Sequence, residues 1–103
     1  MSGVSNPYRY QYETVAASVT AQVLGGTGAV GDYLHRLIIN GVTAASSSVT
    51  ILDGSTSIVA QTAGATVPIG VVSIEINAVS ASGAWKVTTG AGCTVIAVGI
   101  FSA

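Results

Sequence analysis

Charge is what this chain has least of. Its 103 residues carry three Lys or Arg and four Asp or Glu, 7% in all, for a net charge of −1. Ordinary soluble domains run at about 25% charged residues. A solitary domain keeps apart from its copies through mixed surface charge. This chain would present mostly Ser, Thr, Ala, Gly and Val to water. Such a surface has few ions to strip of water when another surface covers it. The composition therefore points to a subunit covered by copies of itself or by a larger assembly, with a secreted Ser/Thr-rich module as the alternative. The basic residues Arg9, Arg36 and Lys86 are scattered, whereas nucleic-acid binding needs a basic patch to neutralise phosphates; no nucleic-acid partner is expected. Cysteine is also nearly absent. Cys93 stands alone, which excludes an internal disulfide and a cysteine-based metal cluster; within its apolar run it reads as a buried small hydrophobe. No apolar run approaches the roughly 18 residues that span a bilayer. The chain opens Met-Ser-Gly-Val-Ser-Asn-Pro without a basic, then apolar, leader, so synthesis in the cytoplasm and no membrane partner are expected.

What is present is β-forming sequence. Half of the residues are hydrophobic, enough for a core in one domain of this length. The stretch 32–60 reads as strand, loop, strand, tight turn, strand. Runs rich in Val, Ile and Thr suit a pleated, half-buried surface. Asp53-Gly54 between two such runs predicts a hairpin, with a type I′ turn that demands positive φ at both central residues. On strict alternation, Leu34, Arg36 and Ile38 share one face of a strand and Tyr33, His35, Leu37 and Ile39 the other. Both faces are apolar, as in a central strand covered on two sides, and Asn40-Gly41 is expected to turn the chain. Upstream, 13–18 and 20–24 read as strands kinked near Ser18, and 25–31 as a flexible loop. Downstream, 62–70 is a connection with Val67-Pro68-Ile69 at a sheet edge. Val72, Ile74 and Ile76 alternate inward with Ser73, Glu75 and Asn77 outward. A small-residue loop, 78–83, follows. Trp85, Val87 and Thr89 share a face, as do Thr94, Ile96, Val98 and Ile100. These are about eight short strands with frequent turn signals and no capped amphipathic helix. The expected fold is all-β: a single antiparallel β-sandwich, jelly-roll-like, over 13–103, preceded by an extended N-terminal arm over 1–12. In the arm, Pro7 favours extension, and Tyr8, Tyr10 and Tyr12 then point to one side.

Candidate chemistry is sparse. Gly26-Thr27-Gly28-Ala29-Val30-Gly31 matches the dinucleotide fingerprint in letters, but that motif opens a helix whose N-terminus holds pyrophosphate. Here an alternating, strand-like run follows, so no cofactor is expected. His35, the single histidine, could join a serine and Asp32 or Asp53 in a relay, but no nucleophile elbow is present. A structural role on a strand is preferred and no catalytic residue is assigned. Glu13, Asp32, Asp53 and Glu75 lack the spacing of a Ca²⁺ loop, and one His and one Cys make no zinc site unaided; no metal is expected. Trp85 is a core anchor, with sugar stacking as the alternative.

Five segments in order carry a resemblance: 12–18 (Tyr-Glu-Thr-Val-Ala-Ala-Ser), 28–34 (Gly-Ala-Val-Gly-Asp-Tyr-Leu), Asp53-Gly54, 83–92 (Gly-Ala-Trp-Lys-Val-Thr-Thr-Gly-Ala-Gly) and 95–99 (Val-Ile-Ala-Val-Gly). Together they resemble small structural proteins of tailed bacteriophage virions, of the kind called capsid cement or decoration proteins. The resemblance spans about 12–101 and is weakest over 62–70. It implies a homo-oligomer, a homotrimer ahead of a homodimer, on the capsid exterior, where it bridges copies of the phage major capsid protein. It implies no enzyme activity. Tyr8, Arg9, Tyr10 and Tyr12 are the expected capsid or oligomer contacts, being of the residue types enriched at interface anchors. The alternative reading is a phage tail-fibre, head-fibre or receptor-binding module that takes a glycan, for which Trp85 and Tyr33 would serve.

Overall fold

A computed structural model of the chain describes residues 10–41, 48–61 and 70–103. Among these there is no helix, and eight strands form: β1 (Gln11–Val15), β2 (Gln22–Val23), β3 (Tyr33–Gly41), β4 (Val49–Asp53), β5 (Thr56–Gln61), β6 (Gly70–Val79), β7 (Trp85–Thr89) and β8 (Cys93–Ile100). They make two antiparallel four-stranded sheets of order β1-β8-β3-β6 and β2-β7-β4-β5. The expected all-β sandwich is what forms. Successive strands change sheet at every step except the β4–β5 hairpin, so β4·β5, β3·β6, β2·β7 and β1·β8 are nested pairs.

The core lies between the sheets and follows the two-residue period of a strand. One sheet supplies Val15, Leu34, Leu37, Ile39, Val95 and Ala97, and the other Val49, Ile51, Trp85 and Val87; all are at most 2% exposed. Ile74 and Ile76 of β6 pack against this cluster in the alternation read from the sequence, and so does Ala78, which was expected in the loop 78–83 but lies in the strand because β6 runs on to Val79. Trp85 is a core anchor, and its indole Nε1 donates to the Asp32 carbonyl at 2.9 Å. Cys93 is buried.

Three local readings are corrected. In β3 the register shifts between Leu34 and Arg36 against both neighbours. The bulge takes one residue out of step, so Leu34 shares the inner face with Leu37 and Ile39 and no longer with Arg36 and Ile38. It follows that β3 is central but covered on one face only among the described residues. Asn40 and Gly41 do not turn the chain; they remain in the ladder opposite Thr94 and Cys93. At the hairpin, Asp53 pairs with Thr56, which leaves Gly54-Ser55 as the two-residue loop. Gly54 has φ 62° and Ser55 is not in the positive-φ region. Glycine with positive φ at the first central position belongs to the II′ kind of turn rather than the I′ kind.

Asp53 serves another purpose. Its carboxylate accepts the amide protons of Ala81 and Ser82 at 3.0 Å, tying the hairpin to the loop between β6 and β7. Those bonds, Ser82 first and then Ala81, hold its carboxyl below the ordinary value of 3.8. Gly54 sits where a Cβ would lie 2.9 Å from the Ser82 carbonyl carbon, so contact with that loop requires glycine. Asp32 is the corresponding clamp at the chain's C-terminal side. Its side chain accepts from the Ala29 and Ser102 amides at 3.0 and 2.9 Å and from the Ser102 hydroxyl at 2.7 Å. Gln11 and Tyr12 belong to β1, so the sheet begins within the expected arm; 1–9, 42–47 and 62–69, with the expected Pro68 edge, lie outside the described residues.

Candidate interaction surface

The face of β1-β8-β3-β6 turned away from the core is built by the ladder registers. One row across the strands is Tyr12, Val98, Arg36, Glu75; the next is Thr14, Ile96, Ile38, Ser73; a third is Thr94, Asn40, Val71. At the other end Ile100, Tyr33 and Val79 stand side by side. Eight large hydrophobic side chains are exposed among the described residues. Six of them lie here: Tyr10, Tyr12 (74% exposed), Val71 (69%), Val79 (60%), Ile96 and Ile100. Of the other two, Val30 is in a loop and Ile58 is on the β5 edge.

The outer face of the second sheet is different. Thr50 and Leu52 of β4, Lys86 and Thr88 of β7, Val23 of β2 and Ser57 of β5 line it, and among the described side chains, which exclude those of 59–61, it carries no exposed large hydrophobe. Apolar exposure is therefore concentrated on one side of the sandwich, the pattern of an interaction site rather than of scattered surface residues.

Two polar features interrupt the apolar face. The Arg36 guanidinium lies 3.5 Å from the Glu75 carboxylate, both solvent-accessible; such a pair stabilises by about 0–1 kcal/mol. Its effect here is to leave the face with no uncompensated charge. The second is a cluster at the bulge. The Tyr10 ring stacks on His35, centroids 4.7 Å apart, and tilts against Tyr33 at 5.9 Å. The Asn77 side-chain oxygen lies 2.9 Å from the Tyr33 hydroxyl, which donates to it, and 2.8 Å from His35 Nδ1. An amide oxygen only accepts, so in this contact Nδ1 carries the proton. Asn77 itself has φ 50°, a conformation that asparagine tolerates better than most residues. The Tyr33 phenol is held above its ordinary value of 10.0, by desolvation first and then by Tyr10 and the Glu75 carboxylate.

Of the expected contact residues, Tyr8 and Arg9 lie outside the described residues. Tyr10 and Tyr12 are both on the apolar face. The residues weighed for a relay sit in separate networks, His35 with Tyr33 and Asn77 and Asp32 with Ala29 and Ser102. The glycine motif is a loop that opens strand β3, with positive φ at Gly28 and Gly31. No group of three or more His, Cys, Asp or Glu residues among the described residues could hold a metal ion. An open depression of about 550 Å³ borders β1, lined by Gln11, Tyr12, Glu13, Gly25, Gly26, Phe101 and Ala103. Its carboxylate is engaged: Glu13 accepts from Gln22 Nε2 at 2.6 Å and from the Gly25 amide at 2.8 Å.

Sequence reading missed Ile96, Ile100, Val71 and Val79 as surface residues. In β8 both alternating sets are apolar, and the smaller one, Cys93, Val95, Ala97 and Gly99, is inside. The available signal was Gly99. A Cβ there would run into the Tyr33 carbonyl oxygen and lie 2.9 Å from the Phe101 ring, so the crowded face is the one with the small residues.

Compared with protein-family models, with curated proteins and with solved structures, the chain has no match in any of the three.

Proposed function

We propose that the protein is a capsid cement or decoration protein of a tailed bacteriophage, sitting on the shell exterior as a homo-oligomer and bridging major capsid proteins. The observation that carries this reading is the one-sided apolar face of β1-β8-β3-β6, which includes Tyr10 and Tyr12, on a chain with 7% charged residues. A face of that kind is desolvated at little cost when a partner covers it. We also read the nested strand pairing as that of a jelly roll, an architecture found in viral capsid and lectin domains.

The proposed mechanism is mass action. A ligand that binds the closed shell and not its separate subunits lowers the free energy of the closed shell. Tying neighbouring capsid proteins together then opposes rupture by packed DNA. The face supplies apolar and aromatic anchors, and Tyr8 and Arg9, which precede Tyr10 in the sequence, are proposed to add to them. Cosedimentation tests the reading: the purified protein is expected to bind phage heads stripped of it at a fixed, saturating number of copies. Deleting residues 2–9, which spares β1, is expected to lower that occupancy, and unchanged occupancy removes the arm from the interface. No binding to heads overturns the function.

One observation favours a second reading. Tyr10, Tyr33, His35 and Asn77 place aromatic rings beside hydrogen-bonding groups, a combination that also suits a sugar. A receptor-binding module would give a glycan-array signal that Tyr33→Ala abolishes, with the protein absent from purified heads.

A further inference from the structure

We infer that the outer edge of β6 is a self-pairing edge, at which a second copy adds its own β6 antiparallel across a two-fold axis, with Ile74 on the axis. The inference extends the self-association included in the proposed function, and it stands or falls without the shell.

The four sheet edges are not alike. A strand with an unpaired edge is a template for another strand, and proteins blunt such edges with shortness, charge or cover. β2 has two residues, and β1 has five, with the Glu13 carboxylate and Gln22 side chain bonded across its flank; Gln22 Nε2 also donates to the Thr14 carbonyl. β5 has six residues. β6 has ten, is the longest strand described, and carries one charge, Glu75. No strand pairs with its outer side among the described residues. The chain's net charge of −1 leaves little repulsion between copies.

The register follows from the side chains. A two-fold axis normal to the sheet sets outer residues opposite outer residues, so only every second register is allowed. Glu75 opposite its own copy sets two carboxylates together and is disfavoured. With Ile74 on the axis, Val72 meets Ile76 of the partner on the core side, and Ser73 meets Glu75 on the outer side, where its hydroxyl donates to the carboxylate. One step further, with Ser73 on the axis, Val72 would still meet Ile74 of the partner, but Ile76 would face Gly70, so the core side loses one of its three apolar pairs. The paired stretch ends where Asn77 turns to positive φ. The product is one eight-stranded sheet whose two apolar faces are continuous, an isologous contact.

Ser73 is exposed, so its variants leave the fold intact and read the register directly. Sedimentation equilibrium of the full chain over a dilution series is expected to give a monomer–dimer equilibrium. Ser73→Lys, which sets two lysines opposite two Glu75 carboxylates, is expected to tighten it about 2- to 30-fold, and Ser73→Glu to loosen it by a similar factor. A wild-type chain that stays monomeric at its highest soluble concentration overturns the inference, as does a trimer. So do Ser73 variants that both weaken association, since that is the signature of Ser73 opposite itself. Head binding is read separately: a protein that dimerises as described without binding heads keeps the edge inference and removes the decoration reading.

Discussion

The two sheets of the sandwich share one core and present opposite outer faces. Among the described side chains, the surface behind β2-β7-β4-β5 is Thr50, Ser57, Lys86 and Thr88 around the half-buried Leu52 and Val23; behind β1-β8-β3-β6 it is Tyr12, Ile96, Ile100, Val71 and Val79 around a single compensated ion pair. Burial of the inner faces is what the isolated fold requires, and both sheets meet it. The outer faces are free of that requirement, so their difference reports something other than folding. A polar face alternating with an apolar one is the ordinary pattern of an antiparallel sheet with one side in water. The first sheet is apolar on both sides, the pattern of a sheet covered on both sides, although nothing among the described residues covers it.

The contrast can be broken most sharply at two adjacent residues of β3. Leu37 faces the core at 0% exposure and Ile38 faces outward. Leu37→Ala is expected to destabilise the chain by about 2–5 kcal/mol through the cavity it leaves, and Ile38→Ala by under about 1 kcal/mol, both measured by urea unfolding. Equal losses would mean that the outer face is packed in the isolated chain. Next in size is Gly99→Ala. The added methyl meets a backbone oxygen, so a loss of about 1–3 kcal/mol is expected from overpacking, read as a drop in Tm.

Binding should divide the faces the other way. Tyr12→Ser and Ile96→Ser are expected to leave stability within about 1 kcal/mol while lowering affinity for heads by about tenfold or more. Thr88→Ser on the other sheet is expected to change neither, and loss of head binding in that variant would move the interface to the wrong sheet. The smallest effect concerns pH. Asp53 has its folded pKa below the ordinary 3.8, so its contribution is present above that value and is lost as pH falls through the folded pKa. Asp53→Asn is expected to flatten the acid limb of a stability–pH curve and leave the neutral region's slope unchanged. An unaltered acid limb would show that the loop tie is not coupled to protonation.

Much of this fold was legible in the residues. Eight strands, the β4–β5 hairpin, the inward set of β6 and the buried Trp85 and Cys93 all follow from period-two patterning and turn chemistry, which are local. The misreadings have different causes. In β3 a bulge broke the strict alternation, at Asn40-Gly41 pairing with β8 overrode a turn signal, and in β8, where both alternating sets are apolar, periodicity identifies the strand without saying which set is inside. Of the residues expected as contacts, Tyr10 and Tyr12 are exposed on this face; Val71, Val79, Ile96 and Ile100 beside them were not read as surface residues.

What the sequence determined by itself was the all-β class, the strand count and the near-absence of charge, because these depend on composition and on neighbours within a few positions. Only the tertiary structure decided that Leu34 crosses to the core side at a bulge, that Gly99 admits no side chain, and that the exposed hydrophobes gather on one sheet. Those outcomes depend on which strands become neighbours across the nested pairs, and contacts between residues 67 positions apart, such as Tyr33 and Ile100, leave no local trace.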